Sequence, residues 1–112
     1  MEKILEYIFN DILEISDIGI QKKLWLNENN DTGLISSYIE LMSRLFDDHN
    51  LSNVIKNKEI TRELKPELIS AIKKLEEALD NYVEKETDKE IILDPKWIEI
   101  SEQAKTVIKM WP

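Results

Sequence analysis

Apolar residues in this chain recur every three or four positions, in four separate stretches. Ile4, Leu5, Ile8, Phe9, Ile12, Leu13 and Ile15 set the pattern. Such a stripe lies on one face of an α-helix and nowhere on a strand, where side chains alternate with a period of two. Backbone punctuation is scarce, with two glycines and three prolines in 112 residues. A meander of short strands needs a turn roughly every 8–12 residues. The pattern therefore predicts an all-α fold.

The first stripe predicts a helix over about residues 2–17, with Gly19 placed to end it, and Ile20 to Leu26 read as a short second helix. Residues 27–33 are the most polar stretch and read as a loop, with Asp31 or Thr32 able to cap the next helix. That third helix is expected over about 33–48, striped by Leu34, Ile35, Tyr38, Ile39, Met42, Leu45 and Phe46, with a further turn or two at 51–55. Pro66 suits the first turn of a fourth, striped by Leu68, Ile69, Ile72, Leu75, Leu79, Tyr82 and Val83. Ile91, Ile92 and Leu93 read as an extended segment. Asp94 and Pro95 form a helix start, and Trp97, Ile98, Ser101, Ala104, Val107, Ile108 and Trp111 line the last helix. A single domain is expected, a compact antiparallel bundle of four main helices with one or two short ones.

Charge and composition narrow the function classes. The net charge is −8, from 23 acidic and 15 basic residues. Nucleic-acid binders carry the opposite balance, because neutralising phosphates drives their affinity. The absence of cysteine removes disulfides, zinc–thiolate sites and a cysteine nucleophile. The stretch after Met1 is amphipathic, with Glu6 and Asn10 inside it, unlike the apolar core of a secretory signal. No apolar run reaches membrane-spanning length. A cytoplasmic protein without a membrane or nucleic-acid partner is the expectation.

Catalytic and metal motifs are not found. His49 is the one histidine, and its neighbours Asp47 and Asp48 point in different directions on a helix, so it reads as an exposed residue near a helix end. Asn27, Asn29 and Asp31 alternate like calcium ligands, but Thr32 stands where an EF-hand loop needs glycine and Tyr38 where it needs glutamate. Neither glycine belongs to a phosphate-binding pattern, and no serine lies in a nucleophile elbow. No catalytic residue, metal ligand or cofactor is assigned. Trp25, Trp97 and Trp111 read as core, and Glu40, Arg44 and Asp48 as a surface salt-bridge ladder.

One local rule is broken repeatedly. A helix C-terminus carries partial negative charge and favours cations. Here the first expected helix ends through Glu14 and Asp17, the third in Asp47 and Asp48, and the fourth runs through Glu76, Glu77, Asp80, Glu84 and Glu86. Asp80 and Glu84, four apart, would face one another on a helix. Solvation is the bland account at any one end. Rules broken without compensation also mark candidate functional sites. If the acidic ends gather on one side, they present a negative field to a basic partner. Asp47, Asp48, Asp80 and Glu84 are the candidate partner-binding residues, with Tyr38 and Tyr82 as aromatic anchors, although each tyrosine also fits a core stripe.

The run from Ser37 through Tyr38, Ile39, Glu40, Leu41, Met42, Ser43, Arg44, Leu45, Phe46 and Asp47 to Asp48, a long amphipathic helix and a closing helix from Asp94-Pro95-Lys96-Trp97 resemble small helical immunity proteins. These accompany contact-dependent inhibition and related polymorphic bacterial toxins. The resemblance spans the layout of about residues 33–111. It implies a cytoplasmic protein that binds one cognate toxin, in this reading a basic nuclease-type domain, and blocks it. The helical immunity proteins of nuclease colicins share the size, acidity and all-α build. Their paired-tyrosine motif is missing, since Tyr7, Tyr38 and Tyr82 stand apart, and no binding site is carried over. A self-associating structural or regulatory adaptor is the alternative, and it predicts a homo-oligomer.

Overall fold

The computed structural model describes residues 2–112, and among them every regular element is helical. The helices are α1 (Lys3–Ser16), α2 (Ile18–Trp25), α3 (Tyr38–Ser43), α4 (Leu51–Lys56), α5 (Lys58–Thr61), α6 (Pro66–Asn81), α7 (Asp88–Leu93) and α8 (Pro95–Met110). A π-helical turn, Arg44–Asp48, continues α3. None is long and apolar enough to cross a membrane.

The long helices follow their stripes, except that in the last one Ile98 is exposed and Ile100 is buried instead. α1 buries Leu5, Ile8, Ile12 and Ile15, and packs along α8, which buries Trp97, Ile100, Ser101, Ala104 and Val107. Ser101 and Ala104 are small, which suits a close approach of packed helices. α6 lies against the same helix through Leu68, Ile72, Leu75 and Leu79. The short helices close the apolar core around these three, with Leu41, Leu45, Leu51, Val54, Ile91 and Ile92 buried in it. Asp94 caps α8 by accepting from the Lys96 backbone N–H at 3.1 Å, with Pro95 at the first helical position. That start and the Pro66 start stand where the sequence puts them.

Several boundaries differ, each for a local reason. α1 ends at Asp17, whose backbone turns extended and whose carboxylate accepts from the Ile20 N–H at 3.0 Å to cap α2. Gly19 therefore lies inside α2 and does not stop α1. A Cβ there would meet the capping Asp17 oxygen at 3.1 Å, so glycine leaves the cap its room.

The polar loop extends past 33, and Ser37, not Asp31 or Thr32, caps α3. Thr32 instead holds the loop, its hydroxyl donating to Asn30 Oδ1 at 2.6 Å and accepting from the Leu34 N–H at 3.0 Å. Asn27, Asn29 and Gly33 take the positive φ values that bend it. The expected third helix consequently loses its first turn. Leu34, Ile35 and Ile39 stand exposed at 64%, 75% and 69%, outside the core that their stripe predicts for them.

α6 ends at Asn81, so Val83 is exposed and Glu84 lies in the connection to α7. Asp80 and Glu84 do not face one another along a helix. Ile91 to Leu93 are helical rather than extended, because the Thr87 hydroxyl accepts from the Glu90 N–H at 3.2 Å and starts α7.

Candidate functional site

Two regions hold concentrated polar chemistry, one inside the fold and one on its surface. The inner one grows from α1. Asp11 and Glu14 are three residues apart on a helix and share a face with the buried isoleucines. Both are buried and both are matched. Glu14 Oε2 accepts from Trp25 Nε1 and from the Ser36 hydroxyl, each at 2.9 Å, and its Oε1 accepts from Arg44 Nη2 at 2.9 Å. Arg44 Nη1 lies 3.6 Å from Asp11, whose other oxygen contacts His49 Nδ1.

The π turn accounts for this convergence. Its wider winding, closed by the His49 N–H to the Arg44 carbonyl at 2.7 Å, puts Arg44 and His49 on the side facing α1. Asn50 then takes a left-handed conformation and redirects the chain into α4.

Arg44 is therefore an interhelix clamp, and among the described residues no ion pair joins it to Glu40 or Asp48. His49 is not the exposed residue expected from sequence. Its ring is half-buried, stacked on Tyr7 at 5.2 Å between centroids and held by Asp11. Burial pushes the Asp11 carboxyl above its ordinary range, against the opposing pull of His49 and Arg44. The acidic end of α1 is thus compensated, Glu14 by this network and Asp17 by capping α2. No group of three or more histidine, aspartate or glutamate side chains among the described residues is placed to hold a metal ion.

The network continues inward. Gln21 donates to the Glu14 and Ile15 carbonyls at 3.0 and 2.9 Å, and accepts from Trp97 Nε1 at 2.9 Å. Trp97, fully buried, is surrounded by Trp25, Tyr38 and Tyr82 at centroid distances of 6.0, 5.5 and 5.4 Å. Trp111 packs on Phe9 at 5.3 Å.

The outer region lies where α3 and the π turn meet the connection after α6. Tyr38, Ile39, Met42, Ser43, Phe46, Asp47 and Glu84 line an open groove of about 340 Å³. Three of the six residues expected at a partner surface, Tyr38, Asp47 and Glu84, come together there. The lining holds two carboxylates and no cation, since Arg44 of the same segment is turned inward. Asp47 accepts from the Ser43 hydroxyl at 3.3 Å. Burial, and then the Glu84 charge, push the Tyr38 phenol up to about 12.

Glu84 also borders a second groove of about 360 Å³ with Tyr82, Val83, Lys85, Asp94 and Lys96. Tyr82 is half-buried there, and its hydroxyl donates to Asp94 at 2.8 Å. This bond, ahead of the opposing effect of burial, lowers the Asp94 carboxyl. Tyr38 and Tyr82 meet edge-to-face at 6.1 Å, so both tyrosines belong to the aromatic cluster as well as to the grooves. Asp48 and Asp80 are exposed and line neither groove.

Ile39, Met42 and Phe46 line the groove although the helical stripe assigns them to the core; Met42 and Phe46 do pack, half-buried, against that core, and Ile39 does not. The signal for them is the width of that stripe. Eight apolar residues over residues 34–46 are more than one buried face of a short helix can absorb. The chain matches no protein-family model, no curated protein and no solved structure.

Proposed function

We propose that this chain is an immunity protein that binds and neutralises a cognate bacterial toxin, acting by one-to-one protein binding and not by catalysis. The partner is a basic domain of nuclease type, met in the cytoplasm through the acidic side of the molecule. The observation that carries the reading is the groove that Asp47 and Glu84 line together with Ile39, Met42 and Phe46, with no cation in the lining. Interfaces that hold tightly place apolar and aromatic anchors at the centre and use charge to steer and orient the approach. The net charge of −8 extends that field over the molecule. The architecture belongs to the same reading: α1, α6, α8 and the α3–α4 segment form an elaborated antiparallel bundle.

The alternative, a self-associating helical adaptor, draws on the exposed aliphatic side chains of Leu34, Ile35 and Ile39. Tagged protein captured from its host at low and moderate salt, followed by co-expression with whatever it retains, separates the two. A basic partner held near one-to-one, toxic alone and harmless when co-expressed, establishes the immunity reading. Recovery of a salt-insensitive homo-oligomer, with the toxin shown to be present, establishes the adaptor.

A further inference from the structure

Resting on that reading, we infer that the Asp47–Glu84 groove seats a cationic amphipathic segment of the partner. One lysine or arginine of that segment sits between the two carboxylates, and an aliphatic or aromatic side chain lies on Ile39, Met42 and Phe46. Three observations select this occupant. Asp47 and Glu84 come from different parts of the chain, the π turn and the connection after α6, yet border one groove. Among the described residues neither forms an ion pair. The interior carboxylates Asp11 and Glu14, by contrast, both have Arg44.

The groove is also apolar where its charges are not. Ile39, exposed at 69%, lines it together with the half-buried Met42 and Phe46. Pure polycations find no use for that surface, and a neutral apolar segment leaves both carboxylates desolvated without a partner, which is costly. A segment carrying both features satisfies the two. A second copy of this chain fits poorly, because its own groove brings a second pair of carboxylates against the first.

The test uses the full-length protein, isotope-labelled for amide NMR, titrated with three synthetic peptides of equal length. One alternates lysine and leucine, one replaces each leucine with serine, and one replaces each lysine with glutamate. The lysine–leucine peptide is expected to saturate, shifting amides within 38–47 and 82–85. The lysine–serine peptide should bind at least tenfold more weakly and the glutamate–leucine peptide not measurably. D47K/E84K should weaken the lysine–leucine peptide at least tenfold, and I39S about threefold, with amide spectra of both variants still folded.

Shifts spread over the whole acidic surface, or equal binding by D47K/E84K, overturn the proposal. So does a concentration-dependent dimer in sedimentation that I39S abolishes, since the occupant is then a second copy. Failure of the immunity reading looks different: groove-localised peptide binding persists while no toxin is neutralised. A toxin neutralised equally well by D47K/E84K leaves that reading in place and removes this one.

Discussion

The molecule carries two pairs of carboxylates in opposite circumstances. Asp11 and Glu14 are buried, and their charges are answered by Arg44, with Trp25, Ser36 and His49 supplying further contacts. Asp47 and Glu84 border an open groove in which nothing cationic answers them. Buried ionic groups cost several kcal/mol when a partner is taken away, whereas exposed ones are screened by water and salt. The inner pair thus serves the fold, since its removal reaches three segments of chain. The outer pair is exposed, so its replacement is expected to leave the fold nearly unchanged.

The largest expected effect breaks the inner half of the comparison. Glu14→Ala leaves the Trp25 indole N–H and the Ser36 hydroxyl without their acceptor and removes the ion pair with Arg44, whose Nη2 keeps only the Ser36 oxygen. Loss of one member of a buried pair typically costs about 3–5 kcal/mol, and partial exposure of Arg44 places this case near 3. Urea unfolding checks it. A loss under about 1 kcal/mol would mean that the inner carboxylates are no more structural than the outer ones.

Ser101 sharpens the comparison from the other direction. Its hydroxyl is buried in α8 and is the one buried side-chain polar atom among the described residues with no hydrogen-bond partner. Matching a buried polar group matters more than its presence. Ser101→Ala is therefore expected to be neutral or stabilising by about 1 kcal/mol, since it removes an unsatisfied hydroxyl and keeps the volume. Thermal and urea unfolding together check the sign.

A third expectation concerns pH. The Asp11 carboxyl is raised in the folded state, so the native protein holds that proton more tightly than the unfolded chain. Its contribution is fully present below the ordinary value of 3.8 and is lost as pH rises through the raised folded value. Asp94, lowered by the Tyr82 hydroxyl, behaves oppositely. Its contribution is present above 3.8 and is lost as pH falls through the lowered value. Unfolding measured from pH 3 to 7 should therefore lose part of its decline with rising pH in Asp11→Asn. In Asp94→Asn it should lose part of its acid-side decline.

The inner region is partly legible in the sequence. Asp11 follows Ile8 by three residues and precedes Ile15 by four, so the period alone puts an acid on the apolar face of α1. That pattern announces a buried carboxylate and leaves its partner unread. Arg44 lies 33 residues away, and its direction depends on a π turn, for which a single sequence gives no period. Without that turn, Glu40, Arg44 and Asp48 align as a surface ladder and His49 points to solvent. The helices at Pro66 and Pro95 are legible because proline and a capping side chain act within one turn. The start of α3 is not, since Leu34 and Ile35 fit a helical stripe as well as Ile39 does. The Ser37 cap overrides that stripe. Half of the candidate groove follows from acidic residues near helix ends, and its apolar lining does not, because the same apolar residues fit a core face.

The smallest expected effect on stability is the one that decides what the outer pair is for. Asp47→Lys with Glu84→Lys changes two exposed positions, one of them hydrogen-bonded only to the Ser43 hydroxyl at 3.3 Å. Substitutions at such positions usually stay within about 0.5 kcal/mol. Removing acidic charge from a chain of net charge −8 also relieves self-repulsion, so the shift should lean towards stabilisation. The same double variant should slow association with a basic partner by more than tenfold at low salt, and by less as salt screens the field. Unfolding and stopped-flow association on one preparation read both quantities. An unchanged fold with slowed association assigns the groove to recognition. A fold weakened as much as by Glu14→Ala would mean that the outer carboxylates are structural too, and the distinction between the two pairs would fail.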